Sequence, residues 1–253
     1  MTFKISVPKK GLRVAWVADL HIPYHDPKAI GCARGVLESY KPDVVIFGGD
    51  LIDANGISKF QKNPTDPISN DFQRELDRFQ DIFAGLVRSA GKAKRYALPG
   101  NHEARMGKLL KERAPALFGL DALQIPKLLE LEKFDVAYLP RLSIGGVIFE
   151  HGNIIRKYSG GSVMAMMEAA SYGYPIVMGH SHRLGLVFKS RPGLAPIWGV
   201  ESGHLCEPGK LDYLASGFAN WQVGMSIVSF VDGVVIPQPL PFHKSGGAWS
   251  SHF

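Results

Sequence analysis

Aspartate, asparagine and histidine side chains recur in five short motifs of this chain: Asp19-Leu20-His21, Gly49-Asp50-Leu51-Ile52-Asp53, Gly100-Asn101-His102-Glu103, His151-Gly152 and Gly179-His180-Ser181-His182. Each stands at the end of an apolar run of strand length. Carboxylate, carboxamide and imidazole donors together suit divalent ions such as manganese, iron, zinc or nickel. No cysteine lies in the motifs, which weakens a structural zinc site. A single Asp-x-His or Gly-Asp is more often structural than ligating, and a Gly-His-Ser-His alone can be a capped loop. Five such motifs in succession, each after a strand, make a shared metal site the better reading.

The elements that must position them follow from the apolar pattern. Arg13–Ala18 is almost continuously apolar, as in a strand covered on both faces. Asp26 and Pro27 suit the N-cap and first position of a helix that runs to about Tyr40 and ends before Pro42. Asp43–Phe47 is a second buried strand, so the three elements form a βαβ unit with a parallel strand pair. After a loop over 54–70, the residues Phe72, Leu76, Phe79, Phe83, Leu86 and Val87 recur at helical spacing, predicting a helix from Asp71 to about Ala90. Lys94–Leu98 is the third strand, followed over 104–131 by one or two helices broken near Pro115 and Pro126. Strands are predicted at Val136–Leu139, Leu142–Phe149 and Tyr174–Met178, with a Met-rich helix over 161–173 before the last. Further strands at Ile197–Val200, Met225–Val231 and Val234–Ile236 close a sheet, the last two joined by a hairpin turn at Asp232-Gly233. The expected organisation is one domain over 1–242 and a mobile tail over 243–253. Ligands of open α/β sheets gather beyond the carboxyl ends of strands, so five strand ends would bring the motifs to one rim.

Composition narrows the classes. Among 253 residues, 45% are hydrophobic and 21% charged, the ordinary balance of a soluble globular protein. The longest apolar runs, such as Val44–Phe47, are far shorter than a membrane span, and Met1–Lys10 holds no apolar signal region. Cys32 and Cys206 are too few for a disulfide framework and read as small buried hydrophobes, which fits a reducing, cytoplasmic setting. The net charge of +6 leans weakly toward an anionic partner, although acidic residues are interspersed throughout. Arg105, Lys108 and Lys111 are spaced to share a helix face, with Arg113 to one side; a solvated face and a phosphate-steering face are both open.

Taken together, the five motifs resemble those of the calcineurin-like metallophosphoesterase superfamily, over roughly residues 11–205. The resemblance implies a four-layer αββα sandwich, two mixed sheets flanked by helices. It implies two divalent metal ions, manganese first, with iron, zinc, nickel or cobalt as alternatives. Asp19, His21 and His182 would serve one ion, Asn101, His151 and His180 the other, and Asp50 would bridge them. Two ions bring four positive charges, which Asp19, Asp50 and a bridging hydroxide reduce without cancelling, so the centre can hold a phosphate anion and attack it. His102 is expected to face the substrate and assist the leaving oxygen, with Asp53 orienting it and keeping it protonated. On that expectation, Asp53→Asn lowers turnover and spares the metals. Glu103 reads as structural. His25, His204, His243 and His252 lie outside the motifs and read as ordinary histidines, His25 being the nearest exception.

The phosphoprotein phosphatases of the superfamily place a phosphate-gripping arginine directly after the second motif, where this chain has Ala54. That departure favours a phosphodiesterase acting on nucleotides or nucleic acid, and no membrane partner is expected. Arg156 and Lys157 are candidate contacts for the rest of a diester, or surface residues. A phosphomonoesterase is the alternative, and a non-catalytic scaffold of the same fold ranks third because every ligand position is intact.

Overall fold

The computed structural model describes residues 2–58, 71–152, 171–211, 219–245 and 248–251. In chain order its strands and helices are β1 (Phe3–Ile5), β2 (Leu12–Val17), α1 (Pro27–Tyr40), β3 (Val44–Phe47), α2 (Phe72–Ser89), β4 (Lys94–Ala97), α3 (Ala104–Arg113), α4 (Ile125–Leu128), β5 (Val136–Tyr138), β6 (Leu142–Ile144) and β7 (Val147–Phe149). The remainder are β8 (Ile176–Met178), β9 (Leu184–Arg191), β10 (Leu194–Ser202), β11 (Gly224–Val231), β12 (Val234–Pro241), β13 (His243–Ser245) and β14 (Ala248–Ser250).

Two six-stranded sheets carry the chain, in the orders β12-β11-β2-β3-β4-β5 and β1-β6-β7-β8-β10-β9. In the first, β2 to β5 run parallel and β11 and β12 are antiparallel. In the second, β7, β8 and β10 run parallel, β9 opposes β10, and β6 opposes β7 while running parallel to β1. Both sheets are therefore mixed, as the resemblance implied.

The two-residue period of a strand splits its side chains between two cores. Val14, Trp16, Val44 and Ile46 point inward and pack against Leu142, Ile144, Phe149, Val177 and Trp198 of the other sheet. Ala15, Val17, Val45 and Phe47 point outward and pack against α1 and α2. Phe83 anchors α2 there, its ring 4.5 Å from Phe47 and 4.6 Å from Phe79. Aromatic pairs of this kind each add about 0.5–1.5 kcal/mol beyond their buried area.

Helix ends follow local chemistry. The Asp26 carboxylate accepts from the N–H groups of Lys28 (2.8 Å) and Ala29 (3.2 Å), and Lys41 closes α1 in the left-handed region at φ 50°. Asp71 caps α2 by accepting from Arg74 N at 3.0 Å.

Several expectations are corrected. The single strand expected over Leu142–Phe149 is two, because Gly145 and Gly146, at φ 55° and 83°, turn β6 back onto β7. The helical stretch over 104–131 is α3, α4 and separate 3-10 turns, since Pro115 and Pro126 each start a new short segment. β9 lies outside the strands expected, although Leu184, Leu186 and Phe188 alternate along it; it is held by its antiparallel pairing with β10. Among the described residues of the tail, β13 and β14 form a hairpin, and the Trp249 indole donates to Asp26 Oδ2 at 2.8 Å while packing on the helix-side core. The expected Met-rich helix lies outside the described residues save for its last positions, 171–173.

The strand ends leave no room for added atoms. A Cβ on Gly48, just past β3, would lie 2.1 Å from the buried Trp16 ring. Gly48→Ala should therefore cost about 1–3 kcal/mol through overpacking, read as a lower midpoint in urea unfolding at an unchanged slope. An unchanged midpoint would show that Trp16 can move aside.

Candidate metal centre

The five motifs leave β2, β3, β4, β7 and β8, and they do so through tight backbone reversals. Asp19, His21, Asp50, His180 and His182 all adopt left-handed conformations, with φ between 49° and 68°. Such conformations cost non-glycine residues about 1 kcal/mol or more each. Hydrogen bonds between the motifs hold them: Asp19 N donates to Gly49 O (3.1 Å), His21 N to Asp50 O (2.9 Å) and His102 N to Asp50 Oδ1 (2.9 Å). Close approach also requires glycine, since a Cβ on Gly100 would sit 2.2 Å from Asp50 Oδ1 and one on Gly179 2.3 Å from Asp19 Oδ2.

All seven predicted ligand side chains come together. His21 Nε2 and His182 Nε2 are 2.9 Å apart, with Asp19 Oδ1 3.3 Å from the latter. On the other side, His151 Nε2 is 3.2 Å from Asp50 Oδ2 and 3.3 Å from Asn101 Oδ1. The His180 ring meets His151 edge-on at 5.1 Å, and its ligand atom groups with those of Asp50 and His151. Asp50 Oδ2 also faces His21 Nε2 at 3.8 Å, so this carboxylate stands between the two groups.

Hydrogen-bond partners determine which nitrogen of each ring is bare. His151 Nδ1 lies 2.8 Å from Gly48 O, which can only accept, so Nδ1 carries the proton and Nε2 turns a lone pair inward. His21 does the same by donating from Nδ1 to Asp53 Oδ1 at 2.9 Å. Burial pushes Asp53 up, but hydrogen bonds from His102 and His21 outweigh it and hold the carboxyl well below its usual range. Burial likewise opposes charge on His151, yet Asp50, Asp19 and Glu103 override it and push the imidazole up to about 10. At neutral pH that second proton sits on Nε2 against Asp50, the place a bound cation would take from it. Inward lone pairs, two carboxylates and a carboxamide are a donor set that fits two divalent cations.

Asp53 differs from expectation. Its Oδ1 is 2.9 Å from His21 Nδ1 and 3.2 Å from His102 Nδ1, so it holds a ligand histidine as well as His102. His102 Nδ1 donates to Asp53 O at 2.7 Å and lies 3.2 Å from Asp53 Oδ1, the pairing expected of it. Its Nε2 lies 3.2 Å from an Arg105 guanidinium nitrogen. Burial and Arg105 work against a second proton, while Asp50 and Asp53 outweigh them and shift His102 upward.

Other residues support the site without belonging to the seven predicted ligands. Arg105 also donates to Asp53 O at 2.6 Å, bringing a cation beside Ala54 from a different element. Glu103 accepts from Gly100 N (2.8 Å), Asp50 N (3.0 Å) and Leu51 N (2.7 Å). Glu75 is buried and accepts from Ala54 N at 2.6 Å. Trp221 packs edge-on against His182 at 4.0 Å, and His204 lies 5.3 Å from the same ring, pushed down to about 3 by burial. Cys206 groups with His21 and His182, although no cysteine ligand was expected. Burial and Asp19 push its thiol well above the ordinary value, so it stands there as a neutral thiol. His25 is buried, its backbone bridged to Cys206 but its side chain in none of the ligand groups, Cys32 is only half-buried, and Arg156 and Lys157 lie outside the described residues. Of the basic face on α3, Lys111 turns aside to lie over the Phe118 ring at 4.6 Å. Among the described residues, no helix is long and apolar enough to cross a membrane.

The family model of the calcineurin-like phosphoesterases matches residues 12–217. The Gene 54 protein of Mycobacterium phage L5 is 27% identical over 254 residues, covering 94% of this chain and 98% of that protein. The Gene 54 protein of Mycobacterium phage D29 is 25% identical over 253 residues with the same coverage of both. Vacuolar Protein Sorting 29 from Cryptosporidium parvum has the same fold, with a TM-score of 0.50, 16% identity and 96% of each chain covered.

Two outcomes follow from the buried carboxylates. Asp53→Asn should weaken manganese binding about 10- to 100-fold, measured as metal retained after dialysis, along with any loss of turnover. Full metal retention would assign Asp53 to His102 alone. Burial, together with Asp53, pushes Glu75 up from 4.5 to about 8. The unfolded chain loses this proton near pH 4.5 and the folded chain near pH 8, so stability falls across that window. The slope is at most about 1.4 kcal/mol per pH unit. Glu75→Gln keeps the acceptor for Ala54 and should raise Tm at pH 8 but not at pH 4.5; an equal shift at both would assign the effect to packing.

Proposed function

Because the chain belongs to the calcineurin-like phosphoesterase family, we propose that it is a metal-dependent phosphodiesterase acting on nucleotide or nucleic-acid diesters. The observation that carries this reading is the convergence of Asp19, His21, Asp50, Asn101, His151, His180 and His182 with Asp50 between two groups. Asp19, His21 and His182 would hold one cation, Asn101, His151 and His180 a second, and Asp50 both. Two divalent cations, manganese being our choice, supply Lewis-acid charge to a phosphoryl oxygen and make water nucleophilic at neutral pH.

The chain's own residues do the rest. Asp53 fixes the ring of His21 and so the direction of its lone pair. Arg105 presents a guanidinium fork at the mouth of the site, matched to phosphate oxygens. A phosphate that takes these donors releases His102 Nε2, which the two carboxylates then favour protonating, ready to serve the leaving oxygen. A diester needs space for its second substituent, and a cleft of about 840 Å³ opens beside Asn101 and Arg105. A reducing, cytoplasmic setting suits the free Cys32 and Cys206.

A protein named for vacuolar sorting shares this fold, so a scaffold without catalysis is the second reading. Hydrolysis of an aryl phosphate diester and the matching monoester, with manganese and with chelator, separates the readings. The diester should turn over at least ten times faster, with activity abolished by chelator. Faster monoester hydrolysis would make the protein a phosphomonoesterase, and no turnover with manganese, iron, zinc, nickel or cobalt would favour the scaffold.

A further inference from the structure

The cleft beside the metal centre has a floor that the catalytic reading leaves without a role. It lies between the turn at Asn55–Ile57 and one face of α3, and Arg105, Lys108, Leu109, Glu112 and Arg113 all line it. Their spacing is i, i+3, i+4, i+7 and i+8, the stripe that a helix normally turns toward a core. Met106 and Leu110 instead supply the buried anchor of α3, and the stripe facing the cleft carries three cations against one carboxylate. The sequence grouped Lys111 with Arg105 and Lys108; folding exchanges it for Arg113.

We propose that this cleft is a subsite for the phosphates flanking the scissile bond of a single-stranded nucleic acid, gripped by Lys108 and Arg113. The inference rests on the phosphodiesterase reading and names the substrate class of that site. At about 1.5 Å rise per residue, Arg113 stands ~12 Å along the helix from Arg105. A lone phosphate or a mononucleotide held at Asp50 does not reach that far, whereas a strand entering past Asn101 presents a charge to each cation in turn. About 840 Å³ of space is also more than one phosphate fills. Asn101 and Arg105 line the cleft, whereas Asp50 and His102 are buried and do not, so the backbone must bend inward to reach them. A single strand does this readily, while a stiff duplex does not. The described lining holds no aromatic ring on which a base could stack, so binding comes from phosphate and sequence preference is slight.

The test compares kcat/KM for a bis-aryl phosphate diester with that for an unstructured oligonucleotide, in the wild type and in the Lys108→Gln/Arg113→Gln variant. The wild type should prefer the oligonucleotide, and the ratio of oligonucleotide to small-diester kcat/KM should fall at least tenfold in the variant. Loss of two phosphate contacts should also make the salt dependence of oligonucleotide binding shallower by about 1.4 in the log–log slope. An unchanged ratio, or a wild type with no preference for the strand, overturns the subsite. Anisotropy titration of a labelled oligonucleotide reads the subsite without turnover, and equal affinity of the two proteins overturns it there. A wild type that binds the strand more tightly than the variant but hydrolyses neither substrate with any metal would keep the subsite and refute the catalytic reading.

Discussion

The carboxylate of Glu103 accepts backbone N–H groups from Gly100, Asp50 and Leu51, joining the loop after β4 to the loop after β3. Asp50 sits in the left-handed region at φ 49°, a conformation its neighbours must enforce. Burial and the Asp50 charge push Glu103 upward, opposed by His151 and by the backbone N–H groups it accepts. That clamp fixes the backbone at Asp50, and His102 N fixes its carboxylate by donating to Oδ1 at 2.9 Å. The centre is thus held by backbone hydrogen bonds made well away from the inward lone pairs.

The imidazoles obey a second constraint. His21 and His151 each surrender an outer ring proton to a fixed acceptor, Asp53 or Gly48 O, and only then does each lone pair face the pocket. Asp53 serves two histidines with one carboxylate, which couples the grip on a cation to the position of His102. Arg105 completes the coupling from α3, since it bonds both the Asp53 carbonyl and His102. A charge arriving from solvent meets Arg105 before it meets either histidine.

Sharing a fold with a protein named for vacuolar sorting shows how little the sandwich by itself says about chemistry. The set of inward donors is what our reading rests on beyond the fold. Position 54 is alanine, and α3 brings Arg105 to the adjacent carbonyl of Asp53. The same helix then lines the cleft with Lys108 and Arg113.

The sequence by itself determined the strands that carry the motifs, because Val14–Val17 and Val44–Phe47 are buried on both faces and need no partner's identity to read as strands. It also determined the ligand types, since their chemistry is in the side chains, and the cap at Asp26, which is local. Tertiary structure alone decided which residues support those ligands. Glu75, Trp221, His204 and Cys206 carry no periodic or spacing signal; they reach the site through contacts between residues far apart in the chain. The same holds for β9, which exists by pairing with β10, and for Trp249, whose partner Asp26 lies at the other end of the chain. Helical spacing could place Arg105 and Lys108 on one face, but only packing could decide that Arg113, and not Lys111, shares their cleft.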